Sequence, residues 1–122
     1  MSQDLNDLIN EYEKYYRHDV VEHLLELAGQ RRTITYGELA EEFGGIARGW
    51  TKPLTAIALR CRTYREPLIS VLVVLKGTKL PSPNAMIYHR LSLTNPKELE
   101  EERERCFDND WANSRLMLAN EK

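Results

Sequence analysis

The stretch RRTITYGELAEEFGG, Arg31 to Gly45, constrains the fold more than any other part of the chain. Thr35 and Glu38 stand three residues apart just ahead of Leu39, Ala40 and Phe43. This is the spacing of a capping box, in which hydroxyl and carboxylate each satisfy a free backbone N–H. A helix is therefore expected to begin at Tyr36. Gly44 and Gly45 admit the positive φ that closes a helix, so the segment 36–43 is only about two turns long and must be held by its neighbours.

Those neighbours are read from periodicity. Leu5, Leu8, Ile9, Tyr12, Tyr15 and Tyr16 recur at helical spacing, and Val20, Val21, Leu24, Leu25, Leu27 and Ala28 resume the pattern before Gly29, which predicts helices over about 4–16 and 18–28. Beyond the double glycine, Thr51 has the chemistry of a cap and Pro53 suits a first turn, predicting a helix over about 52–63. Leu54, Ile57, Ala58 and Cys61 share its apolar face. Lys52, Ala56, Leu59 and Thr63 fall opposite, flanked by Thr55 and Arg60.

The period then changes. Ile69 to Leu75 is a continuous β-rich run, Lys76-Gly77-Thr78-Lys79 reads as a turn, and Met86–Leu93 supplies a returning strand, together a β-hairpin or wing. Asn95-Pro96 has the form of a cap with proline at the first helical position, opening an acidic helix through about Phe107. The segment DNDWANSRLMLANEK trails off as a tail with room for one more helical turn. The expected fold is mainly α with a small β-hairpin: a winged helix-turn-helix with helical extensions at both termini. A chain of 122 residues fits one domain. Its expected parts are an N-terminal helical extension over 1–17, a winged-helix core over 18–93 and an acidic helix and tail over 94–122.

Several function classes are disfavoured. No apolar run approaches the roughly 20 residues of a membrane span, and the acidic start is unlike a signal peptide, so a soluble, cytoplasmic protein with no membrane partner is expected. Cys61 and Cys106 lack C-x-x-C spacing, and His18, His23 and His89 form no ligand pattern. No metal and no cofactor are expected. The net charge of −2 conceals an uneven distribution. Residues 1–30 carry two Lys/Arg against seven Asp/Glu, residues 31–90 ten against four, and residues 91–122 five against eight. A basic island between acidic flanks is what a phosphate-binding surface requires.

The segments TITYGELAEEFG and PLTAIALRCRTYREPLISVLVV resemble the C-terminal winged-helix domain of the O6-alkylguanine-DNA alkyltransferases and their non-enzymatic alkyltransferase-like relatives. The resemblance covers about residues 18–83. It implies that the helix over about 52–63 is a recognition helix lying in the minor groove. It also implies that Ala56 permits close approach to the DNA, that Arg60 or Arg62 takes the place of a flipped base, and that Tyr36 handles the phosphate at the flipped nucleotide. The family's enzymes carry Pro-Cys-His-Arg after the recognition helix, where a histidine-activated cysteine accepts the alkyl group. Here PLISVLVVLKG stands in its place and the nucleophile is gone.

The expected function is thus that of a non-catalytic protein binding double-stranded DNA, with damaged or modified bases as the implied target. Its candidate contacts are Arg31, Arg32, Thr35, Tyr36, Lys52, Thr55, Ala56, Arg60, Arg62, Arg65, Lys76 and Lys79. No catalytic residue is assigned: Glu41 and Glu42, or Glu100–Glu102, are adjacent carboxylates pointing in different directions on a helix. A second reading is a protein-interaction module or small inhibitor on a winged-helix scaffold that has lost DNA. It rests on the acidic ends, the Tyr12/Tyr15/Tyr16 stripe and Trp111, with a homodimer through the N-terminal helix as one form.

Overall fold

The computed structural model describes residues 5–83 and 85–118. Helix α1 (Leu5–Tyr12) runs into a 3-10 turn at Glu13–Tyr15, and α2 (His18–Gly29) follows. Strand β1 (Ile34–Thr35) leads directly into α3 (Tyr36–Phe43), and a second 3-10 turn, Ala47–Trp50, leads into α4 (Thr51–Thr63). A third, Ile69–Leu72, precedes β2 (Val73–Val74), then α5 (Ile87–Arg90) and α6 (Pro96–Asp108). Two further 3-10 turns, Trp111–Asn113 and Leu116–Leu118, close the described chain. The expected helix start at residue 4 and the tail beyond residue 118 lie outside the described residues.

Local signals are realised where the chemistry is local. The Thr35 hydroxyl accepts from the Glu38 N–H at 3.1 Å and the Glu38 carboxylate accepts from the Thr35 N–H at 2.9 Å, a complete capping box at the start of α3. Gly44 and Gly45, at φ 96° and 78°, end that helix in a backbone region costly for other residues. Asn95 caps α6 by accepting from the Glu98 N–H at 2.9 Å, with Pro96 in the first turn. Thr51, expected as a cap, is instead the first residue of α4. The Ala47–Trp50 turn continues straight into the helix, leaving Trp50 at the capping position without a side-chain cap, its indole N–H donating to the Gly44 carbonyl at 3.2 Å instead.

The expected β-hairpin does not form. Among the described residues the sheet is a single parallel pair, Ile34 opposite Val73 and Thr35 opposite Val74. The returning strand over Met86–Leu93 is replaced by α5. Pro81 and Pro83, which lack an N–H for a ladder, stand between. Ile87, Tyr88 and Leu91, buried at helical spacing, hold the segment to the core, and the Tyr88 hydroxyl donates to Ser70 Oγ at 2.8 Å. The Ile69–Leu75 run contributes only two strand residues. Its first part coils into a 3-10 turn against which α2, α4 and α6 all pack. A run buried on every side carries no period to separate strand from helix.

That segment is the centre of the core: Ile69, Val71, Leu72 and Val73 are buried together with Val20, Val21, Leu24, Leu39, Ile57 and Leu116. Glu102 on α6 clamps the chain at this point, accepting from the Leu68 N–H at 2.7 Å and from Arg105 at 2.7 Å. No helix among the described residues is long and apolar enough to cross a membrane.

Candidate nucleic-acid interface

The parallel pairing decides which basic residues meet. Arg32 precedes β1 and Lys76 follows β2, 44 positions apart in the chain, yet both act on Glu38 at the start of α3. The Thr35 N–H, first, and the Thr35 side chain hold the Glu38 carboxyl below the usual range, with the Arg32 and Lys76 cations assisting. Lys79 stands one turn on from Lys76, exposed at φ 60°, its N–H bonded to the Leu75 carbonyl at 2.9 Å. Arg32 and Lys76 thus form an exposed basic rim at the first turn of α3, and Lys79 is exposed on the turn that follows Lys76.

Tyr36 is half-buried at this rim. Its hydroxyl accepts from the Ser82 N–H at 3.0 Å, which ties α3 to the 78–83 loop, and burial pushes the phenol above its ordinary range. Beside it, the loop, α5 and the start of α6 enclose an apolar cleft of about 270 Å³. Ser82, Tyr88, His89 and Leu99 are among its lining residues.

The other candidate residues are less available. Ala56 and Thr55, expected on or beside an outward face of α4, are 3% and 7% exposed, and Leu59 is buried as well. The cause is α1, which packs chiefly on α4, together with the Glu13–Tyr15 turn. The Thr55 hydroxyl is turned back onto the Thr51 carbonyl at 2.7 Å. Arg60 lies 3.5 Å from the Glu13 carboxylate, and the Lys52 ammonium sits 5.1 Å above the Tyr15 ring. Arg62 donates to the Leu91 carbonyl at 2.9 Å, so the two arginines proposed for a flipped base point to different neighbours.

Arg31 is also engaged. It bridges Glu104 and Asp108 on α6 at 3.0 and 2.9 Å and lies over the Phe107 ring. Arg65 is exposed at φ 59°, two residues past the end of α4. Both acidic flanks therefore fold back onto the basic island, the N-terminal one at Arg60 and the C-terminal one at Arg31. Two exposed cations of the island, Arg48 in the α3–α4 connection and Arg90 on α5, were not among the candidates; only the charge count of residues 31–90 signals them.

Neither thiol has the surroundings of a nucleophile. Burial pushes the Cys61 thiol up to about 12, and burial also raises Cys106. A reactive cysteine instead needs exposure and a lowered pKa. Trp111, expected in a loose tail, is half-buried and donates its indole N–H to the Cys106 carbonyl at 2.8 Å. No protein-family model, no curated protein and no solved structure matches the chain.

Proposed function

We propose that this protein is a non-catalytic DNA-binding protein of the alkyltransferase-like winged-helix type, contacting double-stranded DNA through the rim at the start of α3. The observation that carries the reading is the convergence of Arg32 and Lys76, from segments far apart in the chain, at one helix start beside Tyr36. Clustered cations on one edge bind phosphates without regard to sequence. Damaged or modified bases remain the implied target through the family resemblance, with Arg60 or Arg62 as the base-replacing side chain. Alkyl transfer is not part of the reading, because PLISVLVV stands where the family's enzymes carry their nucleophile and Cys61 is a buried thiol.

The test is fluorescence anisotropy of a labelled duplex of about 20 base pairs at low and physiological salt, each neutralised phosphate adding about 0.9 to the log–log salt slope. Binding that weakens with salt and is lost in Lys76→Glu/Lys79→Glu supports the reading. Absence of binding at low salt overturns it.

A second reading, a protein-interaction module, is favoured by one observation: both acidic flanks already occupy arginines of the basic island. It predicts a dimer or heteromeric complex by solution mass measurement and no affinity for DNA.

A further inference from the structure

The burial of Ala56 and Leu59 is the largest departure from what the periodicity of α4 implies, and its cause lies in one segment. α1 packs chiefly on α4, and the Glu13–Tyr15 turn extends the same cover. The deepest side chains described in α1 are Leu8 and Ile9, at 7% and 9% exposure, whereas Val20, Val21 and Leu24 of α2 are at 0%. α1 thus rests on the core rather than forming its centre. At eight residues it is too short to persist as a helix without that support.

The cover is also chemically matched to what lies beneath. Glu13 faces Arg60 at 3.5 Å and the Tyr15 ring faces Lys52 at 5.1 Å, an acidic carboxylate and an aromatic face occupying cations of α4. Tyr16, bonded to the Leu116 carbonyl, marks where the attached chain begins. Tyr16 and Arg17 are extended, forming a short joint between this cover and α2.

We propose that the segment 5–15 is an autoinhibitory mask: it closes over α4 and leaves that helix before α4 meets DNA, an inference that rests on the DNA-binding reading above. Short elements held by few buried side chains open at lower free energy than the core. The apparent affinity of a masked site is its intrinsic affinity multiplied by the open fraction, so a mask closed about 99% of the time weakens binding about 100-fold.

The experiment uses the full chain and a labelled duplex of about 20 base pairs, with two variants and one exchange measurement. Leu8→Ala/Ile9→Ala, which leaves the charge unchanged, is expected to bind about tenfold more tightly or better, and Glu13→Gln, which removes the partner of Arg60 and one negative charge, about two- to fivefold more tightly. In the wild-type chain, saturating duplex is expected to remove hydrogen-exchange protection from the α1 amides while leaving α2 protected. Wild-type binding with α1 still protected, or folded variants with unchanged affinity, overturns the mask and leaves the DNA-binding reading standing. No binding at low salt by wild type or variants overturns both. Should the double variant fail to fold, the exchange measurement on the wild-type chain decides.

Discussion

The Tyr16 hydroxyl donates a 2.6 Å hydrogen bond to the backbone carbonyl of Leu116, joining residues 100 positions apart. Both are buried, so no water replaces either partner. Burial pushes the phenol well above its ordinary range, keeping it a donor. Tyr16→Phe removes the donor and leaves a buried carbonyl unpaired, at a cost of about 1–3 kcal/mol. Urea unfolding should show a lower midpoint at unchanged slope.

Two helices end with an arginine where glycine is the usual choice. After α2, Arg31 sits at φ 55° with the Arg32 N–H bonded to the Leu27 carbonyl; after α4, Arg65 sits at φ 59° with the Glu66 N–H bonded to the Cys61 carbonyl. Both have the hydrogen-bond pattern of a Schellman ending. The left-handed region costs a side-chain-bearing residue roughly 1–2 kcal/mol, and glycine avoids that cost. Arg65→Gly should melt at or above the wild-type temperature and Arg65→Val below it. Arg31→Gly should melt below Arg65→Gly, because it also gives up the bridge to Glu104 and Asp108 and the stack on Phe107.

Among the described residues, three carboxylates titrate below their ordinary range: Asp19 through its bond from Arg17, Glu38 through the Thr35 N–H, and Glu98 through the Thr94 N–H. A carboxylate whose pKa is depressed on folding stabilises the fold above its unfolded value, and that stability is lost as pH falls through the folded value. Melting temperature should therefore hold from neutral pH to about 5 and decline below about 4. Glutamine still completes a capping box. Glu38→Gln should accordingly keep most of the neutral-pH stability while flattening the acid limb, as measured by melting from pH 7 to pH 2.5.

The two thiols should be inert in the native state. Cys61, with its pKa pushed up to about 12, and the buried Cys106 should react with a thiol reagent at pH 8 only as fast as the fold opens. Two rapid equivalents should appear in denaturant. Rapid labelling of the folded chain would contradict the described burial.

What could be read from the amino-acid order was the set of interactions closing within three or four residues. Thr35 with Glu38, the glycine pair after Phe43, and Asn95 ahead of Pro96 each state a helix end in local chemistry, and each forms. The helical stripe of α2 was legible for the same reason, since 3.6-residue periodicity is written into the chain itself. Tertiary structure decided the rest. That β2 pairs with β1 rather than with Met86–Leu93 depends on segments about 40 positions apart. So does the meeting of Arg32 and Lys76 beside Glu38. The covered face of α4 could not be seen from its own sequence either, because Ala56 and Leu59 read as an outward strip until α1 packs on that helix. A capping box carries its energy in two adjacent turns, whereas a docked helix or a parallel strand pair exists only once the whole core has closed, so its signal is spread over residues that no local window contains.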